Sequence, residues 1–306
     1  MTTAGESDRG PFDRALLRQR RDRAADNFAA HAFLAREVSV RLAERLGDIK
    51  RRFPVALDLG CREGCLGDEL AGVSGIERLI QCDLSAAMVA RTAGPERVVA
   101  DEEWLPFAAG SLDLVVSALN LHAVNDLPGA LIQIRRALRP DGLFLGAMFG
   151  GDSLTELRQA LTRAESELEG GISPRIAPFA EIRDLGGLLQ RAGFALPVVD
   201  ADSITVTYPD ALALMRDLRG MGESNVLSQR RTGFTRRATL LTAAAHYCEM
   251  FGDENGRIPA TFQVLYLAGW CPHESQQKAL KPGSGEFSLA SALGDDGGDG
   301  GDETPD

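Results

Sequence analysis

Apolar positions recur at three- and four-residue spacing through FLAREVSVRLAERL, which predicts a helix near the start of the chain, the second of two helical stretches in residues 12–50. From residue 55 the period changes. VALDLG (55–60), LIQCDLS (79–85), LDLVVSALNLH (112–122) and LFLGAMFG (143–150) read as strands, and VVADEEWLPF (98–107) as a short third strand running into a loop. Helical segments separate them: one begins at GCLGDELAGV, one runs from Ala86 to Ala93, and LPGALIQIRRALRPDG (127–142) is closed by Gly142. Strand alternating with helix predicts βαβ units and a parallel sheet.

After Gly151 the order is different. DSLTELRQALTRAESELEGG is a long helix, SPRIAPF a Pro-rich loop, EIRDLGGLLQRAGF a helix and VDADSITVTY an alternating strand. DALALMRDLRGMGESN and RRATLLTAAAHYCEMFG are helical, and ATFQVLYLAGW (260–270) is a closing strand. The chain therefore divides into an N-terminal helical segment (1–50), a nucleotide-binding-like core (51–150), a helical cap with further strands (151–274) and a tail (275–306).

Composition adds limits. Apolar residues make up 44% and charged residues 25% of 306, a globular balance with an ample core. No apolar run nears the roughly 18 residues of a membrane span, so a water-soluble protein is expected. The N-terminus is Arg-rich but interrupted by Glu6, Asp8, Asp13 and Asp22, and has no apolar signal core, which reads as mature protein. Five scattered cysteines suit free thiols in a reducing compartment.

Of the net charge of −11, six negative charges lie in the Gly-rich tail GDDGGDGGDETPD, which is expected to be disordered, and the body keeps −5. With no basic excess, the body is not a nucleic-acid binder. The cluster Arg18, Arg20, Arg21 and Arg23 reads as the solvated face of a helix, although it could meet an anion.

The chemistry lies at the strand ends. Asp58-Leu59-Gly60-Cys61-Arg62-Glu63-Gly64 joins a strand to a helix, where glycines let a ligand approach the backbone and the helix end offers free N–H groups. An acid at Asp58 is ill placed for phosphate but suits an ammonium. Asp83, 19 residues after Gly64 at the next strand end, has the spacing of a ribose-binding carboxylate. Asp101-Glu102 follows the third strand, where a carboxylate could take an adenine amino group. Each alone fits a cap or a solvated loop, but three in order point to S-adenosylmethionine.

The segments FDRALL, ALDLGC, ADEEWLPF, LDLVVSALNLHAVNDLPGALIQI, LRPDGLFLGAMFGGDSLTELR, EGGISPRIAPF, YPDALALMRDLRGMGESN and RIPATFQVLYLAGW carry a resemblance to the methyltransferase-like assembly factor 5 family of respiratory complex I, over nearly all of residues 10–275. A more distant likeness is to the malonyl-carrier-protein O-methyltransferases of biotin synthesis. The resemblance implies an α/β class I methyltransferase fold with a mostly parallel seven-stranded sheet, S-adenosylmethionine as cofactor, and a subunit of the complex I peripheral arm as partner. In eukaryotic members the reaction is hydroxylation of an arginine, and for this chain methylation or arginine hydroxylation of such a subunit is the expected activity. The implied cofactor residues are Asp58, Gly60, Cys61, Gly64, Asp83, Leu84, Asp101, Glu102 and Leu119.

One position departs from the family's Asp-x-Gly-x-Gly-x-Gly loop: Arg62 replaces the second glycine. If that site needs φ > 0, a side chain costs roughly 1–2 kcal/mol there and crowds the methionine end of the cofactor. His122, just past the fourth strand, is the candidate base or substrate-orienting group, with packing as its alternative role. In the run Arg216–Asn225, Asp217, Glu223 and Asn225 are the candidate substrate contacts, since paired carboxylates hold a guanidinium. The four histidines include no His-x-Asp/Glu pair, so no metal site is expected. An assembly chaperone with a weakened cofactor site is a further possibility. Thirty arginines against three lysines suggest a high-GC genome and a bacterial cytoplasm; eukaryotic relatives would lie on the mitochondrial matrix side.

Overall fold

The computed structural model describes residues 10–277, so the acidic tail expected to be disordered lies almost wholly outside the described residues. Strand β1 (Val55–Leu59) is central. It pairs in parallel with β2 (Arg78–Asp83) on one side and β4 (Leu112–Ala118) on the other. β3 (Glu96–Val99), β5 (Leu138–Phe149), β6 (Ala195–Tyr208) and β7 (Ile258–Trp270) complete a seven-stranded sheet in the order β3-β2-β1-β4-β5-β7-β6. β7 is antiparallel to both of its neighbours.

The core strands are nearly all apolar because both of their faces are covered. Along β1, Ala56 faces one helical layer and Leu57 the other. On the first side lie α2 (Phe33–Gly47), α3 (Cys65–Glu69), α6 (Thr155–Leu168), α8 (Ala211–Gly220) and α9 (Arg237–Phe251). On the second lie α5 (Leu127–Ala137) and α7 (Ile182–Arg191), through Leu131, Ile134, Leu185 and Leu189. α4 (Ala86–Val89) follows β2, with Ser85 accepting from the Met88 amide at 3.1 Å as its N-cap. α1 (Arg14–Ala24) is capped in the same way by Asp13, which accepts from the Leu16 amide at 3.0 Å.

The helix expected from Ala86 to Ala93 ends at Val89, the strand expected over 112–122 ends at Ala118, and one boundary differs in kind. The helix expected to run to Gly142 stops at Ala137, and β5 starts at Leu138. Pro140 disfavours the helical region for Arg139 and has no N–H of its own. Asp141 then turns through φ +65°, and the β4–β5 register shifts between Leu112 and Leu114. Among the described residues no helix is long and apolar enough to cross a membrane.

Candidate functional site

The chain winds outward from β1 through β2 to β3 and then returns to β4, which leaves a crevice at the carboxyl ends of these strands. Asp58, next to last in β1, is fully buried there, and no donor reaches either of its oxygens in hydrogen-bonding geometry. Burial pushes its carboxyl up to about 7; the nearby Gln81 side chain and Gly67 amide temper the shift, and Asp83 and Asp68 add to it. The folded state thus keeps a proton that the unfolded chain gives up near 3.8. Stability must fall as pH rises from about 4 to 7, by on the order of 4 kcal/mol for a shift of this size. Asp58→Asn is expected to melt higher than wild type at pH 8 and to lose that advantage near pH 4. Parallel melting curves for the two proteins at every pH in a calorimetric series would refute the assignment.

The loop after β1 is shaped by three left-handed residues, Gly60 (φ +77°), Arg62 (φ +50°) and Gly64 (φ +99°). The Gly60 and Cys61 amides donate to the Cys82 carbonyl at 2.7 and 3.0 Å. A Cβ at Gly60 would land inside the Asn120 side chain. Gly60→Ala therefore combines left-handed strain with a collision, and should cost about 3 kcal/mol in urea denaturation. Adding Asn120→Ala should restore the collision's share; no restoration would mean that the strain alone accounts for the loss. The Cys61 thiol is buried and its pKa is driven up by that burial.

The left-handed turn at Arg62 is held by its own bonds. The Arg62 amide donates to Asp83 Oδ2 at 3.1 Å, and its guanidinium donates to the Met221 and Leu119 carbonyls at 2.9 Å each and pairs with Glu223. Leu119 is itself left-handed, at φ +49°, which aims its carbonyl at Arg62.

Arg21 overturns an expectation. Instead of lying on a solvated helix face it is 1% exposed, reaching from α1 into the crevice. Its Nη1 lies 3.3 Å from Asp83 Oδ1 and 3.2 Å from Glu102 Oε1, and its Nη2 donates to Asn120 Oδ1 at 2.5 Å. Asn120 donates in turn to Glu102 at 2.8 Å. Two helical turns earlier, Arg14 pairs with Asp101 at 2.6 Å and with Glu102. Against burial, which would raise it, Arg21 and Arg14 hold the Glu102 carboxyl down to about 2. Leu84 packs against the apolar cluster of Phe12, Leu17, Ala123, Val226 and Leu227, which joins α1 to the strand ends.

At the outer end of the crevice, His122 Nε2 lies 3.2 Å from Glu223 Oε2. Burial opposes ionisation of Glu223, yet Arg62 and His122 hold it down to about 2. The His122 ring packs against Phe149 and Phe179 at 4.7 and 5.6 Å between centroids, and its Nδ1 is buried without a partner. The other two candidates have their own partners, although Asn225 also lines the cavity beyond Glu223. Asp217 bonds His31 Nδ1 at 2.5 Å and the Tyr208 hydroxyl at 2.9 Å, while Asn225 donates to the Pro174 carbonyl at 2.7 Å. Of the three residues proposed for substrate, only Glu223 faces the crevice beside Arg62.

Carboxylates at three successive strand ends, one of them orphaned, are the acceptor set that the ammonium and hydroxyls of S-adenosylmethionine require. The space does not match them in this conformation. The pocket beside Asp58, Gly60 and Cys61 holds about 10 Å³, close to a single water, because Arg21, Asn120 and Arg62 fill the crevice. Among the described residues no three His, Cys, Asp or Glu side chains gather as metal ligands.

Comparison with known proteins agrees with this geometry. Residues 57–146 match the methyltransferase domain family. The chain is 47% identical to the human mitochondrial protein named arginine-hydroxylase NDUFAF5, over 94% of the chain and 87% of that protein. The chain belongs to the NDUFAF5 family. A malonyl-[acyl-carrier protein] O-methyltransferase from Methylovorus is 34% identical over 85% of the chain and 90% of that enzyme. The crystal structure of a candidate methyltransferase from Bacillus halodurans superposes with a TM-score of 0.53 at 15% identity, covering 76% of the chain and 99% of that protein, which shows the shared fold. In this NDUFAF5 family member the sequence pattern marked Asp58, Asp83, Glu102 and Glu223 but not Arg14, Arg21 or Asn120. The missed signal was charge balance: carboxylates converging at buried strand ends need cations, and residues 14–23 hold the nearest surplus of arginine.

Proposed function

We propose that this protein modifies an arginine side chain in a peripheral-arm subunit of respiratory complex I, in a bacterial cytoplasm, by hydroxylation in which dioxygen supplies the inserted oxygen atom and an external two-electron donor reduces the other oxygen atom to water. The observation that carries this is Glu223. It is a carboxylate held ionised by Arg62 and His122, and it stands between the strand-end crevice and a large open cavity, where a guanidinium could be gripped. Relatives that share nearly half of their residues with the chain bear the name arginine-hydroxylase. S-adenosylmethionine is the proposed cofactor. Asp58 would take its ammonium, Asp83 its ribose hydroxyls, and Asp101 and Glu102 its adenine edge, once Arg21 has withdrawn. When bound it would bring a sulfonium methyl to the mouth beside His122.

Deleting the gene and weighing the peripheral-arm subunits tests this. Loss of 16 Da from an arginine-containing peptide is the expected result, whereas loss of 14 Da would mean methyl transfer. Unchanged masses with failed assembly would favour a second reading, an assembly chaperone, which the arginine-filled crevice supports. A biotin requirement in the deletion strain would instead favour the O-methyltransferase activity of the more distant relatives.

A further inference from the structure

Beyond Glu223 the crevice opens into a cavity of about 650 Å³, a size typical of a ligand site. Its walls are apolar, with Leu157 and Leu161 from α6, Ile176 and Phe179 from the loop between α6 and α7, and Met215 and Leu218 from α8. Its edge is cationic. Arg20 on α1, Arg219 on α8 and Arg230 on the loop before α9 all line it. Among the described residues Arg20 and Arg219 form no ion pair, although the charge of nearby Asp13 favours ionised Arg20, and Arg230 lies 3.5 Å from Asp13 and donates to the Leu227 carbonyl at 3.0 Å. Burial and repulsion from Arg230, Arg23 and Arg219 together push the Arg20 pKa down. Phe234 stands fully exposed on the same edge, and His122, side chain 4% exposed with Nδ1 unpartnered, lines the wall beside Glu223.

Like charges crowded on the edge of an apolar cavity destabilise the free protein and favour a ligand that neutralises them. We propose that the cavity receives an extended acidic segment of the protein substrate, with apolar side chains in the cavity and Asp or Glu side chains on the Arg20–Arg219–Arg230 edge. This rests on the arginine-modifying function for its last element, presentation of the target arginine to Glu223. A peptide suits the site better than a small acid. The three guanidiniums come from three separate elements around an open mouth, so they match several carboxylates carried on one continuing chain. A lone carboxylate would engage one of them.

The test is fluorescence anisotropy on the full-length protein with three labelled peptides. One has an arginine flanked by Leu, Phe, Asp and Glu, one has its acids replaced by lysine, and one has its arginine replaced by alanine. The acidic peptide should bind at least tenfold more tightly than its lysine counterpart, with a preference that weakens as salt rises. Arg219→Glu, at an exposed position that leaves the fold intact, should reduce the preference, and Arg20→Glu/Arg219→Glu/Arg230→Glu should abolish or reverse it. Equal binding of the acidic and lysine peptides, or full competition by a short-chain dicarboxylic acid at micromolar concentration, overturns the proposal. The alanine peptide separates the two ideas. Acidic preference that persists without the arginine supports the cavity even if no subunit is found modified. A modified subunit whose peptide shows no acidic preference leaves the function standing and removes the cavity assignment.

Discussion

Arg21→Ala is expected to bind S-adenosylmethionine at least tenfold more tightly than wild type, although its unliganded form melts about 10 °C lower. Removing Arg21 leaves Asp83 and Glu102 buried against each other with only Arg14, Asn120 and backbone donors as partners. Breaking a buried pair in this way costs about 3–5 kcal/mol, and each kcal/mol lowers the melting temperature of a chain this size by roughly 2–4 °C. The same carboxylates become free to accept ligand hydroxyls. In wild type the ligand must first displace charge-assisted hydrogen bonds worth roughly 1.5–3 kcal/mol each, and 1.4 kcal/mol is a tenfold change in affinity. Titration calorimetry and differential scanning calorimetry read both halves. Arg21→Lys, which keeps one charge on a shorter reach, should fall between the two. Weaker binding by Arg21→Ala would make Arg21 a cofactor ligand and refute the idea that α1 closes the site.

The fold was legible because its signals are local. Period-two and period-3.6 patterns place β1, β2, β4, β5 and β7 within a few residues, and the acids at the strand ends fall where the topology brings them together. The errors come from partners distant in sequence. Arg21 is 62 residues from Asp83 and 81 from Glu102, so its partners are invisible locally; within RALLRQRRDRA only its helical spacing from Leu17 and Ala24, the buried face of α1, sets it apart from the exposed Arg18. Arg62 was legible as a departure from a glycine position, and its left-handed backbone follows from the loop itself. Its function was not legible, because Glu223 and the Met221 carbonyl lie about 160 residues later on the far side of the crevice. Asp217 and Glu223 look equivalent in MRDLRGMGESN. The α8 helix directs the first to Tyr208 and His31, and Gly222, turning at φ +78°, releases the chain so that the second reaches Arg62.

That asymmetry makes Glu223 the position at which the proposed chemistry is most exposed to test. Glu223→Gln should lower kcat/KM for an arginine-containing substrate by about 100-fold, since a carboxylate–guanidinium hydrogen bond contributes roughly 1.5–3 kcal/mol over a neutral replacement. The loss should fall mainly on KM, because the carboxylate binds the guanidinium before as well as during reaction. The fold should survive, for Arg62 keeps the Met221 and Leu119 carbonyls and the glutamine amide can still meet His122. Because Glu223 is ionised down to about pH 2, its charge does not change between pH 5 and 9, and the wild-type pH profile should show no limb from this group in that range. Glu223→Asp, one methylene shorter, should recover part of the activity if charge is what matters. Should Glu223→Gln assemble complex I normally while the arginine goes unmodified, assembly and modification are separate activities of one fold. Normal modification by Glu223→Gln would remove Glu223 from the substrate site and leave the guanidinium to be recognised elsewhere.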